Sequence, residues 1–317
     1  MKIAILGATS QIAKDLILSF SDEHDLELFS RQATAMGRWM VENNLSKYHS
    51  RTYFDFSAIK GFDVIINFVG AGTPEKVTKM GPNIFYITET FDRMAMEYID
   101  QHPECKYIFM SSGAVFGDNF SIPVDATKHA VFPINDLQPQ HYYGMAKMMA
   151  EVRHRITQRN IIDLRVFNYI SHTANINSRF MIYDIIRAIK EKTVFKADRT
   201  PLMRDYIGPL DFFQMINVLL RQDNINCAID CYSRQPVSKD TLLSTMSTKY
   251  GLNYETVGHP VGYQSTGIKE KYYSTNTAAY ALGYRPTLTS MEAIILATDK
   301  ILDRKSTRLN SSHANIS

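Results

Sequence analysis

The sequence predicts an α/β fold: a doubly wound parallel sheet with helices on both faces and a smaller, discontinuous C-terminal lobe. Two observations carry this expectation. Through the first half, short apolar runs alternate with amphipathic stretches, as in strands buried on both faces between covering helices. After Asn168 the alternation becomes irregular, which marks a lobe built outside the sheet. At 317 residues, 45% hydrophobic and 21% charged, the chain can bury a sizeable core.

Taken in order, residues 2–6 read as a strand, 11–20 as a helix and 26–29 as a second strand, with a weaker third at 52–54. Phe62-Asp-Val-Ile-Ile-Asn-Phe68 is a continuous apolar run ending in Gly70-Ala-Gly72, a central strand giving way to a tight loop. A long helix is expected at 82–101, a strand at 106–110, a helix at 140–158 and a strand at 161–167. Further helices are expected at 178–190 and 211–220, and short helices with a strand near 254–257 after Pro236. Residues 1–168, joined by parts of 205–232, make the sheet domain, and 169–204 with 233–302 make the lobe.

The stretch 303–317 is polar and aperiodic, follows a helix expected to end near Leu302, and resembles a reading frame through a cloning adapter. Without it, Lys+Arg falls from 35 by 3 and Asp+Glu from 32 by 1, a net of +1. That balance gives no electrostatic case for nucleic acid or a membrane surface. No apolar run reaches the roughly 18 to 20 residues of a membrane helix. The N-terminus enters directly into the first strand, so a cytoplasmic location is expected. Cys105, Cys227 and Cys231 are too few for a disulfide framework and read as buried thiols.

Gly7-Ala-Thr-Ser-Gln-Ile-Ala13 lies between the first strand and first helix, where helix N-terminal amides meet a dinucleotide pyrophosphate. Only Gly7 remains of a three-glycine pattern; Ser10 and Ala13 are small enough to take the other places. The second strand ends Phe29-Ser30-Arg31 rather than in a carboxylate. A hydroxyl and a guanidinium suit a ribose 2′-phosphate, so NADP is expected over NAD. The cofactor-contacting set is Gly7, Thr9, Ser10, Gln11 and Ile12, then Ser30, Arg31, Asp55 and Phe56. Val69, Gly70, Ala71, Ser111, Tyr143 and Lys147 complete it, with Asp55 placed to accept from the adenine amino group.

Met110-Ser-Ser-Gly-Ala-Val-Phe-Gly117 closes one strand, and Tyr143-Gly-Met-Ala-Lys147 opens the helix after it. Tyrosine and lysine four apart share a helix face, so the ammonium can lower the phenol's pKa. Ser112 can hold the same substrate oxygen while Tyr143 exchanges a proton with it.

With these motifs the chain resembles the extended short-chain dehydrogenase/reductases of the NAD-dependent epimerase/dehydratase group, from Met1 to Leu302. Leu164-Arg-Val-Phe-Asn168, Arg204-Asp-Tyr-Ile-Gly-Pro-Leu-Asp211 and Leu282-Gly-Tyr-Arg-Pro286 extend the resemblance. It implies catalytic roles for Ser112, Tyr143 and Lys147, and nucleotide-sugar contacts for Asn168, Arg179 and Arg204, with His172 a candidate substrate acid. It also implies a homodimer through the helices at 82–101 and 140–158. Gly113-Ala114 stands where 4,6-dehydratases carry an Asp-Glu pair, which disfavours dehydration. The expected activity is NADP-dependent reduction of a nucleotide-linked 4-keto sugar. The alternatives are a 4-epimerase retaining NAD, a reductase of a non-sugar carbonyl, and an NADP-sensing regulator without turnover.

Overall fold

The computed structural model describes residues 1–20, 23–258 and 269–313; of the polar C-terminal stretch, 314–317 lie outside the described residues. In chain order the sheet domain holds β1 (Lys2–Leu6), α1 (Gln11–Phe20), β2 (Asp25–Phe29), α2 (Ala33–Glu42), β3 (His49–Arg51), β4 (Val64–Asn67), α3 (Pro74–Met80), α4 (Asn83–Gln101), β5 (Lys106–Ser112), α5 (Pro139–Arg155) and β6 (Ile161–Val166). Then come β7 (Asn168–Tyr169), α6 (Met181–Glu191), β8 (Val194–Asp198), β9 (Met203–Arg204), β10 (Tyr206–Ile207), α7 (Pro209–Leu220) and β11 (Asn226–Asp230). The chain closes with β12 (Val237–Ser238), α8 (Lys239–Tyr250), β13 (Asn253–Val257), β14 (Lys271–Tyr272) and α9 (Ser290–His313).

Among the described residues the main sheet has seven strands in the order β11-β6-β5-β4-β1-β2-β3, and every neighbouring pair is parallel. Apolar side chains cover both faces. One cluster joins Ile3, Ile5, Leu16 and Ile17 to Phe212, Met215 and Leu219, so α7 returns to the sheet beside α1. The other packs Phe29, Phe56, Phe62 and Tyr107 against Tyr98 and Ile99 of α4. Each such side chain, fully buried, contributes about 1.5–3 kcal/mol. Strand order reverses at β1, which has β2 on one side and β4 on the other, so a crevice opens at the carboxyl ends of these strands.

The C-terminal lobe has its own apolar cluster, with Ile182, Ile185 and Ile186 of α6 meeting Leu242, Leu243 and Met246 of α8 and Ile294 of α9. Its strands form small sheets; in one, β9 lies between β12 and β14.

Several expectations need correction. The third strand is His49–Arg51, not 52–54, and Tyr53–Ala58 is a 3-10 helix. Asp55 sets that boundary, because its carboxylate accepts from the Thr52 N–H (3.1 Å) and hydroxyl (2.9 Å) and caps the turn. The last helix runs to His313, past the expected end at Leu302, because no glycine or proline interrupts it. Helices α2 and α3 and strand β8 were not expected. Helix α3 starts on a clear signal, a Thr73 cap followed by Pro74. Cys105 and Cys231 are buried as expected, and Cys227 is half-buried in β11.

Candidate active site

The turn after β1 places Gly7 at φ +76°, and a Cβ there would sit 2.8 Å from the Phe68 carbonyl carbon. Only glycine lets β1 and β4 approach so closely at this turn. The Gly7 N–H donates to the Phe29 carbonyl (3.0 Å) and to the Tyr53 hydroxyl (3.1 Å), a contact that no sequence motif announced. The Ser10 hydroxyl accepts from Ala13 N (3.2 Å) and shapes the first turn of α1, on which Gln11 and Ile12 follow Thr9. Gln11 reaches back to Asp15 (3.3 Å) and Thr173, tying the turn to the start of the lobe.

At the end of β2, Ser30 is buried and its hydroxyl has no hydrogen-bond partner among the described residues. Arg31 beside it is exposed and lines a surface concavity with Thr34, Arg38 and Thr52. Two residues expected at the cofactor spend their side chains elsewhere. Asp55 caps its own turn, and the Phe56 ring lies in the core against Phe29 (5.2 Å) and Tyr98 (5.5 Å). Ser111 likewise turns from the crevice, because successive side chains of β5 alternate faces, and its hydroxyl donates to Glu151 (2.6 Å).

Strand β5 delivers Ser112 to the crevice, where its hydroxyl accepts from Ala114 N (3.2 Å). Helix α5 brings Tyr143 beside it. Burial raises the Tyr143 phenol above its ordinary value, and the hydrogen bond from Ser112 pulls the other way. Lys147, one turn along, is buried; its Nζ donates to the Met110 carbonyl (2.7 Å) and lies 4.3 Å above the Phe109 ring. Burial lowers its pKa to about 8, against the raising fields of Asp92, Asp163 and Glu151. The expected lowering of the phenol by this ammonium is not seen: burial raises Tyr143, and Ser112 is the group that opposes it. The backbone of Gly70, followed by Ala71, faces the same ammonium, with Nζ 3.6 Å from where a Gly70 Cβ would stand; the Val69 N–H is held by Asn67 (2.9 Å).

Beneath Lys147 every buried charge is paired. His154 sits between Asp163 (2.6 Å) and Asp92 (2.7 Å), all three fully buried, and Arg153 and Arg155 close the two ends. Burial alone would lower His154, yet its two carboxylate partners raise it to about 9. Glu151 pairs with Arg165, which also faces Asp230 (3.5 Å).

The lobe supplies the opposite wall. Tyr272 of β14 has its hydroxyl 3.2 Å from the Ser112 Oγ, and its ring is held by Phe120 (4.9 Å) and Phe167 (5.1 Å). The Phe167 ring also explains Gly113, since a Cβ there would come within 2.3 Å of it, leaving no room for an acidic side chain. Two cations flank the Tyr272 ring, Lys269 at 4.6 Å and Arg204 at 5.9 Å. Arg204 also donates to the carbonyls of Met203 (3.0 Å) and Glu270 (3.1 Å), and burial lowers its pKa. Lys269 is 5% exposed, and burial first, then Arg204, lowers it to about 7. Among the described residues no carboxylate forms an ion pair with either.

The remaining expected substrate contacts are spread out. Asn168 donates to the Asp205 carbonyl (2.9 Å) and so fixes the crossing into the lobe. His172 is half-buried in the loop after β7, and Arg179 is exposed, its N–H bound to Glu75 at the start of α3 (2.6 Å). Sequence reasoning missed Tyr272 and Lys269, which lie far from the serine motif in sequence and belong to no motif.

The profile of the NAD dependent epimerase/dehydratase family matches residues 3–228. No curated protein matches the sequence. Solved structures share the fold at low identity. UDP-N-acetylglucosamine 4-epimerase from Methanobrevibacter ruminantium superposes with a TM-score of 0.79 at 13% identity, over 97% of this chain and 98% of that one. UDP-glucose 4-epimerase from Thermotoga maritima gives 0.77 at 15%, over 97% and 100%. UDP-glucuronic acid 4-epimerase from Bacillus cereus gives 0.75 at 17%, over 96% and 99%.

Proposed function

Because this chain belongs to the NAD dependent epimerase/dehydratase family, and is therefore an NAD-dependent enzyme of short-chain dehydrogenase/reductase type, we propose that it acts on a nucleotide-linked sugar, as a 4-epimerase, through Ser112, Tyr143 and Lys147. The observation that carries this is the convergence of these three side chains on the crevice at the strand-order reversal.

The residues present fit a dinucleotide. The Gly7 turn leaves no room for a Cβ, and the Ser30 hydroxyl, without a partner among the described residues, would be free to meet an adenine ribose at the end of β2. The turn from Gly7 to Ile12 would hold the pyrophosphate, and Gly70 with Lys147 the nicotinamide ribose. When bound, the nicotinamide accepts and returns a hydride. Tyr143 removes or restores the sugar hydroxyl proton, Ser112 orients that oxygen, and Lys147 favours the phenolate. Arg204 would face the diphosphate. Residues 169–204 and 233–302 form the substrate lobe in this reading, and Tyr86 of α4 with Met149 and Val152 of α5 offer an exposed face for a homodimer. Most of the structures of like fold are named as 4-epimerases of UDP-sugars, and one as a dTDP-glucose 4,6-dehydratase, which favours epimerisation over the reductase expected from sequence.

A second reading, NADP-dependent reduction of a 4-keto sugar, is favoured by Arg31 and Arg38 around the concavity beside Ser30, a fit for a 2′-phosphate. Mass spectrometry and NMR of UDP-, GDP- and dTDP-linked sugars incubated with NAD, NADH or NADPH decide between them. Epimerisation without net cofactor consumption is the expected result, and stoichiometric NADPH consumption selects the second reading. Tyr143→Phe lowers kcat about 10²- to 10⁴-fold while cofactor binding persists; full activity of that variant overturns the mechanism.

A further inference from the structure

Ser112 has three polar neighbours. It accepts from Ala114 N (3.2 Å), lies 3.2 Å from the Tyr272 hydroxyl, and is the side chain that opposes the burial of the Tyr143 phenol. A serine hydroxyl has one proton and two lone pairs, so three partners use its whole capacity. The Ala114 N–H takes one lone pair. When Tyr143 is a phenolate it can only accept, so Ser112 gives it the single proton, and the remaining lone pair must accept from Tyr272. In that state the direction follows: Tyr272 donates to Ser112, which donates to Tyr143 or to a substrate oxygen beside it.

We propose that Tyr272 is a positioning residue of the reaction centre, a third hydroxyl that orients the Ser112 proton and so favours the ionised, proton-accepting form of Tyr143. No proton leaves Tyr272; the effect is polarisation along a chain of hydrogen bonds in a buried setting. Rings from the sheet domain hold this hydroxyl still. Phe120 and Phe167 clamp the ring, and the positive charge of Arg204 beside it works against the burial that raises the phenol. The bond joins the sheet domain to the lobe, so the acid–base group is tuned only when β14 is seated against β5.

The inference rests on the assignment of Tyr143 as the acid–base group, and its test separates the two. Tyr272→Phe keeps the ring, its aromatic contacts and its cations, and removes only the donor. It is compared with Ser112→Ala and with the double variant, all of unchanged melting temperature. With tyrosines isotope-labelled at Cζ, the Tyr143 signal is identified by its loss in Tyr143→Phe. Tyr272→Phe should move the Tyr143 titration upward when Ser112 is present and leave it unmoved in Ser112→Ala. Turnover should follow: kcat about 10-fold lower with KM unchanged in the first background, and no further loss in the second. An unmoved Tyr143 titration in Tyr272→Phe, or equal effects in both backgrounds, overturns the inference. Absence of turnover on every nucleotide sugar overturns the substrate reading, while the titration still decides the role of Tyr272.

Discussion

The two walls of the crevice treat buried charge in opposite ways. Under the sheet wall, His154 has a carboxylate on each side, Arg153 and Arg155 cap those carboxylates, and Glu151 pairs with Arg165. On the lobe wall, Lys269 and Arg204 flank one aromatic ring with no carboxylate in an ion pair among the described residues. Buried charge that is fully paired locks α4, α5 and β6 together; buried charge of one sign, left unpaired, costs folding energy and attracts an anion. The first arrangement serves the fold, and the second serves a ligand.

Breaking the paired side should cost most. Asp163→Ala strands His154 and Arg155 and should lower the unfolding free energy by about 3–5 kcal/mol, read by urea denaturation. A loss within experimental error would remove the distinction between the walls. The unpaired side should respond in the other sense: Lys269→Met should raise stability by on the order of 1 kcal/mol while weakening the affinity for a nucleoside diphosphate, followed by calorimetry. Destabilisation with unchanged affinity would make Lys269 an ordinary structural cation.

The pH dependence sharpens the same contrast. His154 is raised from 6.5 to about 9, so its contribution is whole below about pH 6.5 and is lost as pH rises through 9. Lys269 is lowered from 10.5 to about 7, so its penalty is whole below about pH 7 and is lifted as pH rises towards 10.5. The gain in Lys269→Met should therefore be greatest below pH 7 and shrink above it, and the loss in Asp163→Ala should shrink towards pH 9. The smallest effect belongs to the outer rim: Arg31→Ala should weaken NADPH binding about 10-fold and leave NADH unchanged, by fluorescence titration. Equal losses for both cofactors would assign Arg31 to the fold.

The sheet wall was legible in the sequence, whereas of the lobe wall only Arg204 was. Apolar runs at β1, β4, β5 and β6 announce strands, and the turn at Gly7 and the Tyr143–Lys147 spacing are local patterns. Helix α2 carried a readable signal too, with Met36 and Met40 on one buried face. Strand β3 was misplaced because it is a short edge strand of His, Ser and Arg, whereas the aromatic run after it packs as a 3-10 helix. Tyr272 and Lys269 gain their meaning only when β14 folds against the loop after β5, through Lys271 N to the Phe120 carbonyl (2.8 Å) and Val124 N to the Tyr273 carbonyl (2.9 Å). No spacing along the chain encodes that meeting. The same holds for Gly113, whose reason is a ring from the end of β6.

The central claim is hydride exchange at a sugar carbon held against Tyr143. The direct measurement is isotope transfer: incubate the protein and NAD with UDP-sugars deuterated at C4, then analyse the recovered nicotinamide and sugar by mass spectrometry. The account predicts that the wild-type protein yields the C4 epimer with its deuterium still at C4, that any cofactor trapped in the reduced form carries deuterium on the nicotinamide ring, and that Tyr143→Phe gives neither. Epimer that has lost its deuterium to solvent, or cofactor binding with no epimer and no labelled reduced cofactor for any nucleotide sugar, would contradict it.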